Sequence, residues 1–263
     1  MDRPARLTFL GHSTVLIEIA GVRILTDPVL FDRLAILRRV TTTLDPSLYE
    51  RIDLVLLSHL HRDHFDVPSL RLLGSDVRVV APVGAGSLIT RLGFRNVVEL
   101  SRWATFRSES FTITATPAAH SGFRPPFGPR AEALGYVIDA EGKRIYFAGD
   151  TGLFNEMAEI APAIDVALLP VWGWGPTLGR GHLTPRTAAR AMDLLGAEVA
   201  IPIHWGTLWP LGLGRVRRGR LEDPPVEFAA LAAELAPGGR VLITPPGHTL
   251  NLPAEGAAQV QRT

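Results

Sequence analysis

Cysteine is absent from this chain of 263 residues. Disulfides are therefore impossible, and any metal site has to be built from imidazole and carboxylate instead of thiolate. A surplus of charge is also missing, with 27 Lys and Arg against 26 Asp and Glu, a net +1. That balance argues against a specific nucleic-acid partner, although it leaves room for a local basic patch. No stretch approaches the roughly 18 uninterrupted apolar residues of a membrane span. The N-terminal "MDRPARLTFLGHST" carries charges but no apolar signal core followed by a small-residue cleavage site. These absences lead us to expect a soluble cytoplasmic protein.

What the chain does contain is apolar material, 46% of its residues, enough for a large core. Short β-like runs recur at Leu7–Leu10, Val15–Ile19, Arg23–Leu25, Leu54–Leu57, Val77–Val80 and Phe111–Thr116. Others follow at Leu134–Ile138, Arg144–Phe147, Val166–Leu169, Val199–Ile203 and Val241–Ile243. The early runs are separated by turn signals and read as an antiparallel meander. Later ones alternate with helix-like stretches at Phe154–Ile160, Pro185–Leu195 and Val226–Leu235. Thr184-Pro185 is a good helix start and Gly196 a plausible stop. No linker interrupts the mixture, so residues 1–263 read as one domain of two packed sheets with helices outside.

Histidine is scarce, eight residues in all, yet three fall within "HLHRDH". His59, His61, Asp63 and His64 directly follow the apolar run Ile52–Leu57. A solvated loop does not need imidazoles at that density, whereas a zinc or similar site does. A turn after a strand can aim His59 and His61 at one ion and Asp63 and His64 at a second position. Two positions need more ligands, and His120, Asp150 and His204 each terminate a further apolar run. Seven ligands, one of them bridging, suit a dinuclear centre that supplies a hydroxide at neutral pH and polarises a phosphoryl or carbonyl oxygen. Taken singly, a strand-end histidine is more often a hydrogen-bonded structural residue; the set is far more specific than any member.

The pattern HxHxDH with later His, Asp and His resembles the metallo-β-lactamase-fold hydrolases. "FLGHSTVLIE", "ILTDPV", "FAGDTG", "GHLTP" and "PIHWGT" resemble the branch that contains N-acylphosphatidylethanolamine-hydrolysing phospholipase D and bacterial relatives. The resemblance implies an α/β fold, a four-layer αββα sandwich with a metal site at one edge. It implies two divalent ions, zinc foremost, with iron or manganese also compatible with His/Asp ligation. By that pattern His59, His61 and His120 hold the first ion, Asp63, His64 and His204 the second, and Asp150 bridges. The implied activity is phosphodiester hydrolysis on a small-molecule or lipid-like substrate, with lactone or ester hydrolysis as the alternative. Asp63, Asp150 and His182 are the catalytic candidates, His182 assisting the departing oxygen.

Other residues carry two readings. Asp27 either orients a ligand imidazole or caps the turn at Asp27-Pro28. His12 either touches substrate or packs. Trp172, Trp174, Trp205 and Trp209 either form an apolar pocket rim or pack inward. Arg215, Arg217, Arg218 and Arg220 could meet substrate phosphate, a peripheral membrane surface or solvent. His248 reads as structural.

Overall fold

Two turns, at Gly11–Ser13 and Ala20-Gly21, fold the N-terminal segment into an antiparallel meander of β1 (Ala5–Gly11), β2 (Thr14–Ile19) and β3 (Val22–Thr26). The computed structural model describes residues 5–124, 128–160, 162–174, 179–212 and 221–252. A short hairpin follows, β4 (Arg33–Leu34) and β5 (Leu37–Arg39). β6 (Leu54–Leu56), β7 (Arg78–Pro82) and β8 (Val97–Leu100) then extend the meander in parallel beyond β3. Their crossovers carry α1 (Val67–Leu73) and α2 (Gly86–Arg91).

The second sheet starts antiparallel with β9 (Thr105–Arg107), β10 (Phe111–Pro117), β11 (Leu134–Ala140) and β12 (Lys143–Phe147). It continues in parallel through β13 (Ile164–Pro170), β14 (Ala197–Ile203) and, further on, β16 (Arg240–Val241). α3 (Pro185–Leu194) precedes β14, and α4 (Asp223–Leu235) precedes β16. β15 (Leu208–Pro210) pairs with β5 to complete a three-stranded sheet. β17 (His248–Leu252) returns to the free edge of β1.

The sheets bury their inner faces against each other. Phe9, Val15, Ile17 and Leu56 of the first share one core with Ile113, Tyr136, Ile145, Phe147 and Leu168 of the second. Polar bonds cross that core: the Tyr136 hydroxyl donates to the Leu57 carbonyl at 2.7 Å, and the Leu134 N–H to that of Ser58 at 3.0 Å. Outside the first sheet, Leu70 of α1 and Ile89 of α2 pack on Val55, Leu57 and Val79. Outside the second, Ala188 and Met192 of α3 and Phe228 of α4 join the main core. The layers are helix, sheet, sheet, helix, the expected αββα sandwich.

The sequence expectations differ from the structure in several places. Phe154–Ile160 forms only a 3-10 turn, Asn155–Glu159, with Pro162 following too closely for a longer helix. Val241–Ile243 contributes to a strand of two residues. β4, β5, β8, β9, β15 and β17 were not foreseen. Most are short or polar edge segments that carry little periodicity of their own. α1 and α2, at seven and six residues, are likewise below the length at which helical periodicity shows. Among the described residues no helix is long and apolar enough to cross a membrane.

Gly149 lies after β12, just before Asp150. Its φ is +58°, and a Cβ there would sit 2.5 Å from Ser58 Cβ in the loop after β6. Gly149→Ala should therefore cost about 1–3 kcal/mol of stability through strain and overpacking. Thermal unfolding measures it, and an unchanged melting temperature would show that the contact yields freely.

Candidate metal centre

Strand direction puts the chemistry at one edge. β1, β3 and β6 run the same way in the first sheet, and β10, β12 and β14 share a direction in the second. His12 follows β1, Asp27 follows β3, and His59, His61, Asp63 and His64 lie after β6. Across from them His120 comes after β10, Asp150 after β12 and His204 directly after β14. His182 precedes α3, whose Thr184 cap and Pro185 are as the sequence implied.

Three of these residues turn sharply out of their strands, with φ of +55° at His12, +33° at Asp27 and +64° at His204. Such backbone persists only where neighbours hold it. The His204 N–H donates to the His12 carbonyl at 2.6 Å, and the His12 N–H to Thr207 Oγ1 at 2.8 Å. The Ser58 N–H donates to Asp27 Oδ1 at 2.7 Å.

The hydrogen bonds decide where each ring keeps its proton. Burial pushes His59, His61 and His120 below the usual imidazole range and takes His204 down to about 3. Near neutral pH each of these rings therefore carries one proton. His61 commits its proton through Nε2 to the Phe123 carbonyl at 2.8 Å. His120 and His204 commit theirs through Nδ1 to the carbonyls of Gly181, at 2.7 Å, and Trp172, at 2.6 Å. His59 Nδ1 donates to Ser58 Oγ at 2.9 Å, because that hydroxyl's own proton goes to Asp27 Oδ2. The remaining nitrogen of every ring is then a bare lone pair.

Those lone pairs face one another. His61 Nδ1 and His120 Nε2 stand 3.1 Å apart with no proton to share. His204 Nε2 is 3.2 Å from Asp150 Oδ1, an oxygen without a hydrogen-bond donor, and His59 Nε2 is buried without a partner. Opposed acceptors repel, and a cation between them removes the repulsion. The residues thus fit divalent metal, and they group accordingly. His59, His61 and His120 bring ligand atoms within 4.8 Å of one another, as do His12, Asp63, His64 and His204. A third group is His120, Asp150 and His182, and Asp150 also lies 3.1 Å from His64.

The carboxylates of Asp150 and Asp63 stay ionised, whereas burial raises the pKa of Asp27. Burial opposes the charge on Asp150, but His204, His64 and the hydrogen bond from His182 outweigh it and hold the carboxyl well below its usual range. At Asp63, too, burial is outweighed, by the hydrogen bond from His12 and the charges of His64 and His204. His64 has carboxylates on both sides, with Nδ1 2.7 Å from Asp27 Oδ2. Burial disfavours its charge, yet Asp150 and then Asp27 hold the imidazolium well above the usual range. Asp27 therefore orients His64 directly and His59 through Ser58, instead of serving only as a turn residue.

The tryptophans divide. Trp205 and Trp209 are buried, which removes them from the expected rim. Trp205 packs on Phe9 and donates to the Pro202 carbonyl at 2.8 Å, and Trp209 lies on β15 against the body. Their residues face inward, which sequence alone did not show. Trp172 and Trp174 are half-buried, and Trp174 Nε1 donates to Asp63 Oδ2 at 2.9 Å. Arg215, Arg217, Arg218 and Arg220 lie outside the described residues. His248, on β17, takes no part in the groups. Ser58 and the carbonyls of Phe123, Trp172 and Gly181 were missed, since a backbone carbonyl leaves no mark in residue type.

Residues 22–205 match the family model described as a beta-lactamase superfamily domain. The chain belongs to the metallo-β-lactamase superfamily. A UPF0173 metal-dependent hydrolase of Methanopyrus kandleri is 34% identical over 257 residues, covering 93% of this chain and 98% of that one. N-acyl-phosphatidylethanolamine-hydrolyzing phospholipase D 1 of Caenorhabditis elegans is 29% identical over 234 residues, 78% of this chain and 64% of the relative. Among solved structures, the metallo hydrolase Igni18 of Ignicoccus hospitalis superposes with a TM-score of 0.73 at 28% identity, covering 94% of this chain and 98% of its own. With metal-dependent hydrolases as its relatives over nearly the whole length, the chain is a metal-dependent hydrolase.

Metal uptake should release protons. His64 carries an imidazolium proton in the metal-free protein because its pKa is raised, and a ligand nitrogen must lose it. Affinity should therefore rise with pH until His64 deprotonates unaided, and fall by up to about tenfold per unit of acidification below that point. Calorimetric titration in buffers of different ionisation enthalpy counts the protons. A buffer-independent heat would contradict the assignment.

Proposed function

We propose that the chain is a dinuclear metal-dependent phosphodiesterase. The observation that carries the reading is the three bare nitrogens of His59, His61 and His120 beside the group of Asp63, His64 and His204, with Asp150 touching His64 and His204 and lying within 4.8 Å of His120. His59, His61 and His120 would hold one ion, Asp63, His64 and His204 the other, and Asp150 would bridge. Zinc suits this nitrogen-rich, sulfur-free set, with iron and manganese as competitors. Such ions, when bound, make water acidic enough to supply hydroxide near pH 7 and polarise the oxygen of the reacting group.

The protein's own part is to position and to move a proton. Hydrolysis adds water across the P–O bond, so oxygen joins phosphorus and the departing alkoxide needs a proton. We assign that role to His182, whose Nε2 is 3.3 Å from Asp150 Oδ2, a hydrogen bond that raises its pKa above the usual range. Its Nδ1 proton is held by the Gly179 carbonyl at 3.1 Å.

A cleft of about 420 Å³ supports an anionic substrate. It is lined by His120, Ser121, Arg102, Arg130, Glu132 and the exposed Val83 among others. Arg102 is paired with Glu132, whereas Arg130 has no ion pair among the described residues. A guanidinium in this largely polar cleft suits an anionic phosphodiester better than a neutral lactone. The nematode relative's name points the same way.

Purified protein should contain about two divalent ions per chain. Asp150→Ala should lose most turnover and part of the metal while remaining folded; full activity in that variant would remove Asp150 from the centre. His182→Ala should lower kcat by about 10²–10⁴-fold with both ions retained, most for poor leaving groups. Bis-aryl phosphodiesters and N-acyl phospholipids, assayed beside lactones, decide the substrate class. Faster lactone turnover, with Arg130→Ala indifferent to substrate charge, would favour the ester-hydrolase alternative.

A further inference from the structure

Four groups of the centre take their orientation from one stretch of chain. The carbonyls of Trp172, Gly179 and Gly181 receive the ring protons of His204, His182 and His120. The fourth contact is of another kind, the Trp174 indole N–H aimed at the Asp63 carboxylate at 2.9 Å. An indole N–H can only donate. It meets Oδ2, the same oxygen that lies 3.1 Å from His12 Nε2. Two nitrogen groups therefore converge on one oxygen of Asp63, and among the described residues no hydrogen bond engages the other, Oδ1.

We propose that Trp174 is a positioning residue that holds Asp63 to ligation through one oxygen and thereby sets the affinity of one metal position, that of Asp63, His64 and His204. The proposal rests on the dinuclear reading above. The indole is braced from behind, since its ring packs on the cluster of Val29, Leu34, Leu37 and Leu208 beneath the three-stranded sheet. That sheet becomes the platform for a ligand's orientation. Without the N–H, His12 alone restrains the carboxylate, and its geometry toward an ion is less strictly imposed. The other position is independent of this device. His59, His61 and His120 are oriented by Ser58, Phe123 and Gly181, none of which contacts Trp174 through a hydrogen bond.

The test is zinc titration of metal-stripped protein by calorimetry and chelator competition, comparing the parent with Trp174→Phe and Trp174→Met. Both variants keep apolar bulk and lack the N–H, and their metal-free melting temperatures report whether the fold is intact. The expected result is one equivalent weakened by about 10–100-fold with the other unchanged, the usual size of a lost outer hydrogen bond. The cobalt-substituted variants should show a changed visible spectrum for that equivalent alone. Two parent-like equivalents in the variants, or both weakened alike, would overturn the proposal, the second outcome marking a merely structural role. If the parent itself binds a single ion, the dinuclear reading fails and this proposal falls with it.

Discussion

A neutral imidazole has one proton, and the centre depends on where each of those protons is sent. Backbone carbonyls of Trp172, Gly181 and Phe123 and the hydroxyl of Ser58 take them outward. The opposite nitrogens are left bare and crowded toward a common space. Leaving such lone pairs unpartnered in a buried site is costly in an apolar medium. Metal binding resolves that cost, so the same contacts that would strain an empty site organise a filled one.

The sandwich supplies what the proton pattern requires. Six strands ending at one edge place their following residues within reach, and the sharp turns at His12, Asp27 and His204 redirect those residues into the gap between sheets. Bonds across the core, from Tyr136 to Leu57 and from Leu134 to Ser58, tie the loop after β6 to the opposite sheet. Ser58 is the hinge of this arrangement. It touches Asp27, His59, the Leu134 amide and the space beside Gly149 at once.

Charge is arranged with equal economy. His64 is flanked by Asp27 and Asp150, and the latter by His64, His182 and His204. This alternation holds the Asp150 carboxylate ionised although nearly all its surface is buried, which unpaired it could not do, whereas at Asp27 burial outweighs the pairing and raises the pKa. His182 sits at the more exposed border of the cluster. That placement suits a group that exchanges protons with a substrate, whereas the deeply buried rings suit fixed ligation.

The residue types and spacings determined the chemistry. "HLHRDH", a histidine or aspartate at the end of three later apolar runs and the lack of cysteine limited the centre to imidazole and carboxylate. Strong strands such as β1, β2, β10 and β11 were legible because their apolar, β-branched runs are local, and α3 because Thr184 and Pro185 announce its start. The tertiary structure decided the rest. Which nitrogen of each ring is bare depends on carbonyls of Phe123, Trp172 and Gly181, distant in sequence and indistinguishable there from any other carbonyl. Whether a tryptophan lines a rim or fills a core depends on which way its segment faces, so Trp205 and Trp209 went inside while Trp174 reached Asp63. The short edge strands exist only because a partner strand is already in place. Side-chain identity travels with the chain, but direction and partnership arise only when distant segments meet.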